Sequence, residues 1–199
     1  AGSMKEAIKP GDLVVPKQFL DHTHKRPATF FGDGIVAHVS LADPVCPDLA
    51  HDLAAAGRQA GVTIHEGGTY LCIEGPQFST RAESNLYRSW NADVISMTAM
   101  QEARLAREAE LCYATLVLVT DYDCWHESVK AVDVADILRV MNANVELAQK
   151  AIVNVAKAVA KRERTCACGS SLQHAIITDR SVIPPKRIAE LRPIVGKYL

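Results

Sequence analysis

Residues 112–119 are apolar and β-favouring almost throughout, and they run directly into Thr120-Asp121-Tyr122-Asp123. An unbroken apolar run of this length is expected of a central strand covered on both faces, which requires helices flanking a sheet. The remaining pattern agrees with that frame. Strands are expected at 13–16, 35–39, 62–65, 69–73 and 93–97, with a Gly67-Gly68 turn between the third and fourth. Helical spacing occupies 47–61, with Gly61 as the stop, and 98–109. Thr80 and Glu83 fit a capping box at the head of another helix. Residues 132–161 carry a long amphipathic period, and one more helix is expected near 185–191. Strands alternating with helices give an α/β class. Residues 22–34 form a polar, Pro- and Gly-containing loop and a functional candidate.

Composition removes several classes of function. With 22 basic and 23 acidic residues the formal charge is −1, and the longest basic patch is Lys161-Arg162-Glu163-Arg164. Nucleic acids and anionic membrane surfaces need a sustained positive field, so neither is an expected partner. No apolar stretch approaches the roughly 18 residues that span a bilayer, and no signal-peptide pattern opens the chain. The expected compartment is the cytoplasm. Four of the six cysteines sit singly among apolar or aromatic neighbours and read as buried thiols. Cys166 and Cys168 are close and polar-flanked, candidates for disulfide or redox chemistry. Zinc normally takes wider pair spacing with a second pair or histidines, so no metal site is expected from the spacing.

Ligands in open α/β folds gather beyond the carboxyl ends of the strands. The strand ending at Val119 delivers Asp121 and Asp123 to that edge, where core packing does not explain two carboxylates. Locally they read either as solvated loop acids or as ligand contacts. The strand ending at Met97-Thr98 and the loop Glu74-Gly75-Pro76-Gln77-Phe78 open on the same edge, and three such ends together favour a site.

Three segments carry a closer likeness: Ile73-Glu74-Gly75-Pro76-Gln77-Phe78-Ser79-Thr80-Arg81-Ala82-Glu83-Ser84, Asp93-Val94-Ile95-Ser96-Met97-Thr98, and Thr120-Asp121-Tyr122-Asp123-Cys124-Trp125. In order and spacing the chain resembles the 5′-methylthioadenosine phosphorylases of the trimeric purine nucleoside phosphorylase superfamily, over residues 1–160. The resemblance implies a three-layer phosphorylase/hydrolase-like fold with a central mixed twisted sheet. It implies phosphate-dependent cleavage of methylthioadenosine to adenine and 5-methylthioribose 1-phosphate. Inorganic phosphate is then the co-substrate, with no cofactor and no metal. Asp121 would protonate, or share a proton with, the imidazole-ring nitrogen of the leaving purine, and Asp123 would accept from its exocyclic amine. Phe78 would stack on the base, Met97 would lie against the ribose, and Thr98 would contact phosphate and sugar. Val134 would face the 5′-thioether, and His38 would enter the neighbouring subunit's 5′ pocket in a homotrimer or a dimer of trimers.

The same resemblance implies an N-terminal portion, with a Gly-rich phosphate loop, upstream of Ala1. The chain is therefore expected to be the C-terminal two-thirds of one nucleoside phosphorylase domain, with residues 162–199 as its tail. The missing segment or chain is an expected partner, and the isolated piece is expected to be inactive. A Cys-X-Cys near the C-terminus resembles archaeal-type members, in which it takes part in disulfide chemistry. Competing readings are a broader adenosine or 5′-deoxyadenosine phosphorylase, a hydrolase using water, and a non-catalytic nucleoside-binding remnant.

Overall fold

The computed structural model describes residues 1–127 and 134–199, excepting the side chains of residues 136, 137 and 143. Its strands are β1 (Gly2–Ser3), β2 (Leu13–Val15), β3 (Gln18–His22), β4 (Ile64–Glu66), β5 (Thr69–Ile73), β6 (Val94–Ser96) and β7 (Val117–Leu118). The helices are α1 (Pro47–Gln59), α2 (Arg81–Ser89), α3 (Met100–Glu108), α4 (Val134–Val159), α5 (Pro185–Glu190) and α6 (Arg192–Val195). The start of the long helix expected from residue 132 lies outside the described residues.

The expected α/β class holds, with mixed sheets flanked by helices, but the strands divide into two sheets. One has the order β1-β6-β5-β3, with β3, β5 and β6 parallel and β1 antiparallel to β6. The other has the order β4-β2-β7, parallel then antiparallel. A buried cluster joins them: Val14 and Val117 of the second sheet pack with Tyr70, Cys72 and Val94 of the first and with Ala99 and Met100. Burying such apolar area contributes about 25 cal/mol per Å², which makes this shared cluster a main tie between the sheets.

Three expectations need correction. The run at 112–119 is not a central strand: β7 has two residues and lies at the edge of its sheet. Ahead of β7 the backbone serves other partners, with Tyr113 O accepting from Cys46 N at 2.8 Å. Residues 35–39 join neither sheet. Ala37 bridges Ile176, Ile177 N donates to Val36 O, and Val36 N donates to Thr178 Oγ1, so this stretch pairs with the tail instead. There Phe31 and Ile35 share a core with Leu172, Ile183, Leu191 and Val195. The third correction is β3, which follows directly on the predicted strand at 13–16. Its polar and apolar residues alternate along an edge strand, and that weak pattern directly after Pro16 and Lys17 hides it.

Helix α2 begins as its capping box dictates. The Glu83 amide donates to Thr80 Oγ1 at 3.2 Å, and the Thr80 amide donates back to Glu83 Oε2 at 2.7 Å. Its inward face buries Tyr87 and Ser84. Thr80→Ala removes the side-chain half of this cap and should cost about 1 kcal/mol. In urea unfolding we expect a lower midpoint with an unchanged slope.

Candidate active site

The segment after β7 turns back along β1. Thr120 N donates to Ala1 O at 2.9 Å and Ser3 N donates to Asp121 O at 2.8 Å. Trp125 closes the turn from beneath, donating its indole N–H to Ser3 O at 2.7 Å, with the Arg88 guanidinium 3.6 Å above its ring. Arg81 adds a bond to Cys124 O at 2.6 Å. Thr120, Asp121 and Asp123 are thereby held against β1 and β6.

A cleft of about 170 Å³ opens at this point, lined by Phe78, Ser79, Ser96, Met97, Asp121 and Asp123 among others. Gly2 forms part of its wall by necessity. A Cβ there would stand 3.0 Å from both Asp121 Oδ1 and Ile95 Cγ2. A second cleft, of about 230 Å³, shares Ala1, Ser96 and Thr120 with the first and adds Tyr70, Thr98 and Thr115. In it the Thr98 and Tyr70 hydroxyls lie 3.1 Å apart. An apolar-walled cleft with a few convergent polar groups is the usual form of a small-molecule site.

The two carboxylates differ in environment. Asp121 accepts from the Thr120 hydroxyl and from the Asp123 amide, each at 2.7 Å. Asp123 is buried, with a positive φ of 53°, and its carboxylate accepts a short hydrogen bond from the Ser84 hydroxyl. Burial raises the Asp123 pKa above the ordinary carboxylate value, the Asp121 charge adds to the rise, and Ser84 opposes it.

Of the residues expected from the sequence, Phe78, Met97, Asp121 and Asp123 share the first cleft, and Thr98 lies in the adjoining one. Val134, exposed at the start of α4, does not line either cleft. Nor does His38, exposed in the stretch paired with the tail, whose amide donates to Ala175 O. Cys166 and Cys168 lie apart from both clefts, beside Cys46 and Cys112.

Three contributors were missed in the sequence. Ser79 places a buried hydroxyl at the cleft with no hydrogen-bond partner among the described residues, and Ser96 lines both clefts. A serine beside a recognised loop or strand carries no signal of its own. Arg26 is the third. Its guanidinium donates to Met97 O, to Glu74 O at 2.6 Å and to Ile73 O at 3.3 Å, binding the carboxyl ends of β5 and β6 together. The available signal was a lone arginine inside the loop at 22–34, already marked as functional. Under the same loop Gly75 is at φ 68°, and a Cβ there would lie 2.4 Å from Met97 Sδ, so the Phe78 loop rests directly on Met97.

The phosphorylase superfamily model matches residues 1–157, which is most of the chain. The chain belongs to this superfamily. It is 54% identical over 199 residues to the S-methyl-5′-thioadenosine phosphorylase of Geobacter sulfurreducens, covering all of this chain and 69% of that relative. Among solved structures, a methylthioadenosine phosphorylase from an antarctic soil metagenomic library superposes with a TM-score of 0.91 at 44% identity, covering 97% of this chain and 68% of that one. A Schistosoma mansoni methylthioadenosine phosphorylase in complex with adenine superposes at 0.84 with 29% identity, over 88% and 70% of the respective chains. Superfamily membership, together with relatives of this identity, makes the chain a purine nucleoside phosphorylase-type pentosyltransferase.

Two predictions follow from this geometry. Arg26→Ala frees three carbonyls at two strand ends and should cost roughly 2–3 kcal/mol. Because Phe78 and Met97 then lose a common anchor, substrate KM should rise more than the stability loss explains. In the unfolded chain Asp123 titrates near 3.8, and burial raises that value in the fold. Across the window between the two values the folded state keeps a proton that the unfolded state has lost, so stability falls as pH rises and levels off above it. Asparagine does not titrate. The Tm of Asp123→Asn minus that of the wild type should therefore increase with pH through this window, as read by calorimetry.

Proposed function

We propose that this protein cleaves 5′-methylthioadenosine with inorganic phosphate, releasing adenine and 5-methylthioribose 1-phosphate. The observation that carries this reading is that Asp121 and Asp123 line one cleft together with Phe78 and Met97. Two carboxylates and an aromatic ring in one cleft suit a flat, amine-bearing heterocycle. Phe78 offers a face for the base.

Asp121 gives a proton to the imidazole-ring nitrogen, which turns adenine into a better leaving group. Asp123, beyond Asp121, accepts from the exocyclic amine and repels a 6-oxo group. As the glycosidic bond breaks, positive charge develops on the sugar, and phosphate on the opposite face stabilises it while attacking the anomeric carbon. Met97 borders the sugar, and Thr98 in the adjoining cleft is the contact for sugar and phosphate. Val134, exposed outside both clefts, is the apolar neighbour proposed for the thioether. His38, exposed on its own subunit, completes the 5′ pocket of the next in a homotrimer or a pair of trimers. Phosphate is the only co-substrate, with no cofactor. Among the described residues no helix is long and apolar enough to cross a membrane, and the proposed compartment is the cytoplasm. The names and the adenine complex of the similar proteins support the substrate class.

Product formation from methylthioadenosine, adenosine and methylthioinosine, with and without phosphate, tests the proposal. Turnover should require phosphate and favour the 6-amino compounds, and equal rates on methylthioadenosine and methylthioinosine would remove the role given to Asp123. Asp121→Asn should lower kcat by about a hundredfold or more with KM changed only a few-fold. An equal loss of adenine binding and turnover would make Asp121 a contact rather than the acid.

A further inference from the structure

Four cysteines converge at a place the reaction does not use. Cys46 directly precedes α1, Cys112 follows α3, and Cys166 and Cys168 begin the tail after α4. Their sulfurs all lie within 4.8 Å of one another, and those of Cys112 and Cys166 are 3.2 Å apart. All six cysteines of the chain are free thiols in the structure, and none of these four lines the cleft that holds Asp121. Ligand arithmetic on a sequence looks for pairs close along the chain. Cys166 and Cys168 are such a pair, and the fold supplies the other two thiols from far upstream.

We propose that Cys46, Cys112, Cys166 and Cys168 form a structural site for one thiophilic divalent cation, zinc above all, which fastens the tail to the body of the domain. Geometry is the first support. Four thiolates each about 2.3 Å from a tetrahedral zinc stand about 3.8 Å apart, within the 3.2–4.8 Å over which these sulfurs are spread. Chemical type is the second, since four sulfur donors exclude hard cations such as magnesium or calcium and select zinc or its soft neighbours. Partial burial is the third: Cys46 and Cys168 are buried, while Cys112 and Cys166 are half-buried, which shields a closed site and leaves a path for loading.

The surroundings suit the charge that loading creates. Binding Zn²⁺ displaces four thiol protons to solvent, no electron is transferred, and the filled site carries a net charge of −2. Cys46 is the N-cap of α1, so the positive end of a 13-residue helix faces it, and its side chain makes no capping hydrogen bond. The Arg164 guanidinium, held by its bond to Glu110 O at 2.6 Å, lies beside the Cys166 thiol and brings a positive charge to the same spot. The rival arrangement of the same atoms is a pair of disulfides, which needs an external oxidant and leaves no ligand for a metal.

Protein purified without chelator, with thiol reductant present, should contain about one zinc per chain by elemental mass spectrometry. After metal removal under reducing conditions, titration with Co²⁺ alone should give the thiolate-to-cobalt charge-transfer band and tetrahedral visible bands, saturating at one equivalent. Cys166→Ser/Cys168→Ser should lower metal content at least tenfold, whereas Cys124→Ser should retain it. Should the double variant fail to fold, the zinc content and cobalt spectrum of the wild type still decide the matter. The proposal is overturned if the reduced wild type binds no cobalt in tetrahedral sulfur geometry. It is equally overturned if the freshly purified protein lacks metal and its intact mass is short by two or four hydrogens.

Discussion

The short backbone ladder between β1 and the segment after β7 holds the site together. Two hydrogen bonds, Thr120 N to Ala1 O and Ser3 N to Asp121 O, bring the end of the three-stranded sheet against the edge of the four-stranded one. Each such bond contributes only about 1 kcal/mol net, so the ladder does not hold by itself. It is backed by Trp125 bonded to Ser3 and overlaid by Arg88, and by the buried cluster that runs from Val14 and Val117 to Tyr70 and Val94. The two acids therefore sit where two sheets meet: they follow β7 of one, while the other supplies their backbone partner in β1 and their cleft neighbours at the ends of β5 and β6. Arg26 performs the corresponding task on the facing wall, where it gathers three carbonyls from two strand ends.

Much of this was legible in the residues, for identifiable reasons. The capping box of α2, the apolar period of α4 and the Gly61 stop after α1 are local signals, and local physics decides them. The elements at 112–119 and 35–39 were misjudged because their apolar character is real while their hydrogen-bond partners are remote. Ala37 pairs with Ile176, and Tyr113 O accepts from Cys46, contacts that no window of neighbouring residues contains. The division of the strands into two sheets is hidden for the same reason.

The site shows a similar split. Asp121 and Asp123 stand out because core packing does not explain two carboxylates at a strand end, whereas Phe78 and Met97 are marked only through the family resemblance. Ser79, Ser96 and Arg26 could not be weighed without knowing which carbonyls and which cavity they face. The four clustered thiols are the extreme case: each alone reads as an ordinary half-buried or buried cysteine, and only the folded chain makes them a set.

Gly2 has a wider consequence. Its missing side chain leaves main chain in the cleft wall, where an added carbon would stand 3.0 Å from Asp121 Oδ1 and from Ile95 Cγ2 and would press on both. The room beside Asp121 is thus set in part by peptide geometry, and a side chain at position 2 would act on the acid itself. The rim, where Phe78 is exposed, is freer to change without disturbing that contact.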